Sequence, residues 1–161
     1  MPTTARRGIA ALTAYLSVTG FVILAAPAAE AAHRQQGPDP RTIVARAERG
    51  DPAAETMLGY MHFTGRGAPQ SYVAAVDWYT RAAHQGDPDA QYLLGLMYDK
   101  GLGVDSDVIK AYKWLNLAAA HAPPVNRENY LKIRDAVASK MTPDQLVIGQ
   151  KLALEFIVTR P

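Results

Sequence analysis

Aspartates, histidines and glycine-rich turns are the residues of this chain whose types do chemistry. Asp99, Asp105 and Asp107 lie close together and superficially suggest a calcium loop, but such a loop needs several converging oxygens and a closing bidentate glutamate. His33, His62, His84 and His121 share no spacing of three or four residues, so a metal site would require the fold to bring them together. The GRG at 65–67 and GLG at 101–103 have the look of phosphate loops. Neither is followed by the lysine and hydroxyl residue of a nucleotide-binding turn, and the chain has no G-x-S-x-G and no H-E-x-x-H. With no cysteine at all, thiol and disulfide chemistry is excluded. No catalytic constellation remains, and the expectation is a protein that is not an enzyme, with no cofactor and no metal.

The glycines have a simpler origin. Sliding the chain by 36 positions places Gly50 on Gly86 and lines up two blocks, 50–85 and 86–121, without a gap. Thirteen of the 36 positions are identical, where roughly two or three would match by chance, so the period marks a repeat array. GRG and GLG fall on one another and read as turns. Asp107 falls on Ser71, which makes both of them helix N-caps rather than ligands.

Each block carries the punctuation of two helices. Gly50 and Gly86 suit the position after a helix, Asp51 and Asp87 cap the next, and Pro52 and Pro88 fit its first turn. Ala54, Leu58, Met61 and His62 follow helical spacing, as do Ala90, Leu94, Met97 and Tyr98. The second helix of each block carries Ala75, Trp78, Tyr79, Ala82 and Ala83, repeated as Ala111, Trp114, Leu115, Ala118 and Ala119; both tryptophans read as core. Gly59 and Gly95 sit in mid-helix, where glycine costs about 1 kcal/mol against alanine, so a bulky ring from a neighbour is expected over each.

The pattern A-x-x-x-L-G-x-x-Y-x-x-G-x-G, then D-x-x-x-A-x-x-W-x-x-x-A-A, is carried in full by Ala90, Leu94, Gly95, Tyr98, Gly101, Gly103, Asp107, Ala111, Trp114, Ala118 and Ala119. It resembles Sel1-like repeats, relatives of the tetratricopeptide repeat. The first copy departs at His62, where the family prefers Tyr, and at Ser71, where it prefers Asp. The fold expected is all-α: an α/α solenoid of two helix-turn-helix repeats with helical caps at both ends, since two repeats alone leave apolar faces bare. The caps are a partial helix at 41–49 and two C-terminal helices at 126–140 and 143–157, the last opened by the capping box Thr142-Pro143-Asp144-Gln145. Pro123-Pro124 is read as a stop. The repeat domain then spans 41–158 behind a linker at 32–40.

The resemblance implies that the first helices line a concave face. On a wheel with Leu58 toward the core, Thr56, Tyr60 and Phe63 lie on the opposite side; Tyr92, Leu96 and Asp99 do so in the second copy. Aromatic residues there offer anchors to a protein or peptide partner, with Thr56 and Asp99 available for hydrogen bonds. The alternative is that these side chains pack between first helices or under the terminal ones. The resemblance further implies an adaptor in signalling or cell-envelope assembly. Some secreted relatives rich in cysteine are linked to β-lactam hydrolysis, an analogy weakened here by the absence of cysteine.

The N-terminus reads as a secretory signal over residues 1–31: Arg6 and Arg7, an apolar stretch from Ile9 to Ala26, then small residues around Ala29 and Ala31. A cleaved protein would be periplasmic or secreted, without membrane contact; retained, the stretch would make an inner-membrane anchor and the chain a structural component. Cleavage removes two of 17 basic and one of 15 acidic residues, leaving 15 against 14 and a net charge of about +1. With no basic run, nucleic acid has nothing to hold. Intact mass of the protein recovered from its producing cell should lack the first 29 or 31 residues; a full-length mass would establish the anchored form.

Overall fold

Helix boundaries in this chain follow its capping residues. The computed structural model describes residues 39–159, so the candidate signal and most of the linker lie outside the described residues. Within them are seven helices and no strand: α1 Pro40–Glu48, α2 Pro52–Thr64, α3 Tyr72–His84, α4 Pro88–Lys100, α5 Val108–His121, α6 Pro124–Ala138 and α7 Pro143–Val158. Asp51 Oδ1 accepts from the backbone N–H groups of Ala53 and Ala54 at 3.1 and 3.2 Å. Asp87 accepts from Ala90 at 2.7 Å, Ser71 from Ala74 at 3.2 Å, and Asp107 from Ile109 and Lys110 at 3.0 and 2.9 Å. Each bond satisfies an otherwise orphaned donor of a first helical turn, worth about 1 kcal/mol.

Both ends of α6 lie two residues before the sequence reading, while the other caps agree with it to within one residue. Pro123-Pro124 does not hold the chain off until Asn126: Pro123 is the cap residue of α6 and Pro124 its first helical residue, because a proline there lacks only an N–H that would be unsatisfied anyway. The same helix ends at Ala138, two residues before the expected Lys140. The capping box is formed, with Thr142 Oγ1 accepting from Gln145 N at 3.3 Å and Thr142 N donating to Gln145 Oε1 at 2.9 Å.

Packing runs along the chain as it does in a solenoid. The first helix of each repeat lies between the second helix of its own repeat and the helix before it: α2 between α1 and α3, α4 between α3 and α5. Helix α6 takes the place a third first helix would have, against α5, and α7 returns to cross α5 as well. Phe156 of α7 meets Trp114 edge-on, with centroids 5.2 Å apart. The outer side of α7 leaves Val147, Leu154 and Val158 exposed.

Small residues set the helix spacing. A Cβ on Gly59 would stand 2.6 Å from Tyr79 Cε1, and one on Gly95 2.7 Å from Leu115 Cγ. The expected bulky ring is therefore present only in the first repeat; leucine fills the equivalent notch in the second. Trp114 is core as read, but Trp78 is only half-buried, with the Arg81 guanidinium 4.3 Å from its ring centroid. Tyr79, seated in the Gly59 notch, is fully buried and its hydroxyl has no hydrogen-bond partner among the described residues.

Gly103 has φ 71°, and a Cβ there would stand 2.4 Å from the Tyr72 carbonyl carbon and oxygen, the backbone where α3 begins. Gly50 has φ 85° but open space around it. Gly50→Ala should lower stability by about 1 kcal/mol, the left-handed penalty alone, and Gly103→Ala by about 2 kcal/mol or more, with overpacking added. Equal losses in urea unfolding would show that the loop yields at no cost.

Burial pushes the Tyr79 phenol above its ordinary 10.0, with Tyr60 adding to it; burial and then the bond to Asp89 do the same for Tyr130. For both phenols the folded state holds the proton more tightly. Their contribution is present below pH 10 and is lost as pH rises above it. Tyr79→Phe should raise stability at neutral pH by about 1 kcal/mol, because it removes a buried unmade bond, and should flatten the alkaline decline. A less stable variant at neutral pH would mean the hydroxyl is bonded after all.

Candidate functional site

The first helices carry the candidate site. Helical spacing puts Ala53, Thr56, Met57 and Tyr60 of α2 along one wall; Asp87, Asp89, Tyr92 and Leu93 at the start of α4 form the other, and Tyr130 of α6 closes the end. Together they bound a groove of ≈ 570 Å³, within the usual range for a ligand site. Tyr92 and Tyr130 stack nearly parallel, with centroids 4.3 Å apart and planes at 10°, and the Tyr130 hydroxyl donates to Asp89 Oδ1. Opposite them, Met57 and Tyr60 are 42% and 46% exposed and form an open rim. Thr56 Oγ1 lies 2.9 Å from Pro52 O and 3.1 Å from Asp87 Oδ1, which ties α2 to the cap of α4.

Further along the same helices is a smaller apolar cavity of ≈ 200 Å³ bounded by Phe63, Tyr79, Leu93, Leu96, Met97, Lys100 and Leu102. Leu93 is a wall of both spaces. Phe63 also packs on Tyr72, with ring centroids 5.4 Å apart.

Of the six residues singled out in the sequence, Thr56, Tyr60 and Tyr92 line the larger groove and Phe63 and Leu96 the smaller one. Asp99 lines neither. Its side chain is 7% exposed and pairs with Lys140 at 2.6 Å and Lys100 at 2.9 Å. Burial works to raise its pKa, but the bonds from the two lysines outweigh that and hold it below the usual carboxylate value. It is a tie between α4 and the turn after α6. Met57, Asp89 and Tyr130 had not been singled out for the site. Met57 stands one turn before Tyr60, so the same wheel offered it; Tyr130 arrives from a helix outside the repeats, and no spacing within them pointed to it.

The other chemistry-bearing residues are dispersed. His62 Nδ1 lies 3.0 Å from Pro69 O, His84 packs edge-on to Trp114 and Phe156, and His121 Nδ1 is 3.4 Å from Gln91 Oε1. His33 lies outside the described residues. Among the described residues no three His, Cys, Asp or Glu side chains gather as metal ligands, and no helix is long and apolar enough to cross a membrane.

Among curated proteins none matches the chain. A solved structure of a protective antigen present in uropathogenic Escherichia coli strains, displaying an SLR fold, superposes with a TM-score of 0.70 at 26% identity; the match covers 81% of this chain. This chain spans only 28% of that antigen's length. A Sel1 repeat protein from Oxalobacter formigenes superposes with a TM-score of 0.53 at 38% identity, covering 57% of this chain and 69% of that one. The family model for the Sel1 repeat matches twice, over residues 52–87 and 88–122, which are the two helix pairs α2–α3 and α4–α5. The chain belongs to the Sel1 repeat family.

Proposed function

We propose that this protein is an exported adaptor or regulator of the bacterial cell envelope that holds an extended segment of a partner protein in the groove between α2 and α4. Sel1 repeat proteins are generally protein–protein interaction modules and typically non-enzymatic. The observation that carries the reading for this chain is the groove itself, ≈ 570 Å³ between the first helices, with Met57 and Tyr60 exposed on one wall and a rigid tyrosine pair on the other. Large apolar side chains held on helices lose little freedom when a partner covers them, so a few such anchors suffice for recognition. Export rests on the N-terminal signal pattern.

A photo-crosslinking residue placed at position 60 should capture a discrete partner in the native cell envelope, and Met57→Ala should abolish that adduct. The same residue at position 77, exposed on α3 away from the groove, should capture nothing. Adducts from position 77 with none from position 60 would move the binding surface to the second helices and overturn the proposal. Tyr92→Ala is a poor choice of variant, because it removes one face of the Tyr92–Tyr130 stack and disturbs α6.

A further inference from the structure

We infer that the groove selects a basic side chain of its partner, lysine or arginine, at the end where α4 begins, and an apolar one further along. This inference rests on the reading of the groove as the binding face. Two carboxylates, Asp87 and Asp89, stand at the start of α4 on its lining, and among the described residues no lysine, arginine or histidine lines it. Neither carboxylate is in an ion pair among the described residues. Their existing bonds are to neutral donors: the Ala90 amide and the Thr56 hydroxyl for Asp87, the Tyr130 hydroxyl for Asp89. The helix terminus beside them offsets only about half a unit of charge, which leaves roughly one and a half negative charges in the groove.

The walls suit a cation in a second way. Tyr60, 46% exposed, presents a π system whose face attracts a lysine ammonium or arginine guanidinium group, opposite the stacked Tyr92–Tyr130 pair. The aliphatic stem of either residue matches Met57 and Leu93, so stem and head group would both be accommodated. An acidic segment would meet the two carboxylates directly and be rejected.

The smaller cavity fixes the second preference. It shares Leu93 with the groove and is walled by Phe63, Leu96, Met97 and Leu102. Its centre is displaced from that of the groove by about seven residues along α4, or about 10 Å, a distance an extended chain covers in about three residues. Lys100 stands at its far end and disfavours a second basic residue there. The ligand is therefore an extended segment with a lysine or arginine and, about three residues away, a large apolar side chain.

Methionine methyl NMR reads both subsites in one experiment, because Met57 lines the groove, Met97 lines the smaller cavity, and Met141 lies away from both. The probes are acetylated, amidated hexapeptide mixtures with Lys, Arg, Gln or Glu fixed at the second position, Leu fixed at the fifth, and the other positions randomised. The Lys and Arg mixtures should shift Met57 and Met97 together, with an apparent affinity about fivefold or more above the Gln mixture and higher still above Glu. In an Asp87→Asn, Asp89→Asn double variant, whose cap is retained because asparagine caps as well as aspartate, the Lys and Gln mixtures should become equal. Shifts at Met57 of equal strength for Lys, Gln and Glu would overturn the charge preference while leaving the groove as the binding face. No shift at Met57 with any mixture would remove both.

Discussion

Each repeat turns on one buried polar position. In α2 it is Glu55, 1% exposed, whose carboxylate pairs with Arg81 at 2.9 Å and accepts from Gln85 at 2.6 Å. Thirty-six residues on it is Gln91, fully buried, donating to Ala83 O at 3.1 Å and lying 3.4 Å from His121. The partners are themselves equivalent, since Gln85 aligns with His121 and Arg81 with Leu117. Where the cation is replaced by leucine, the buried acid is replaced by its neutral amide. That is what desolvation demands, because a buried carboxylate without its partner is far more costly than an amide whose bonds are made. This position fixes the first helix of a repeat against the end of a second helix, and Thr56, the next residue, reaches across to Asp87. Two adjacent residues of α2 thus set where the carboxylates of the groove stand.

Close approach does the rest. Gly59 admits the Tyr79 ring and Gly95 admits Leu115, while Ala75, Ala82, Ala83, Ala111, Ala118 and Ala119 keep the second helices within contact of the first. With that side of the first helices fully engaged, their opposite side cannot also close. Side chains there either find a terminal element to pack against or remain open. Tyr92 finds Tyr130, and Tyr60 and Met57 remain open.

This division explains what the sequence disclosed. The 36-residue period, the caps and the helix-pair architecture were legible because capping and turn formation are local: Asp51, Ser71, Asp87, Asp107 and Thr142 act within three residues of themselves. The wheel argument located the face that lines the groove for the same reason. What it left undecided was which aromatic residues on that face are free, because that depends on α6, whose position is set by tertiary packing on α5. Asp99 shows the same limit: its side of the helix was legible, but its capture by Lys140, from a turn forty-one residues away, was not. The buried Glu55 and Gln91 were invisible for a different reason, since polar side chains at helical spacing ordinarily face solvent.

The two walls of the groove consequently differ in kind. The α4 wall is preorganised: Tyr92 and Tyr130 hold each other in a stack, and Tyr130 is bonded to Asp89, so its shape and charge exist before any ligand arrives. The α2 wall is adaptable, because Met57 and Tyr60 are exposed and thioether side chains refill irregular space at little cost. In the proposed binding mode, a rigid wall that carries charge and an adjustable wall that carries apolar area would divide recognition between them, one setting which side chain is accepted and the other how closely it is covered. Near-identical repeats would give two similar walls. The asymmetry arises because the second repeat is followed by α6 and the first is not, so the end of the solenoid, rather than the repeat itself, makes the two walls unlike.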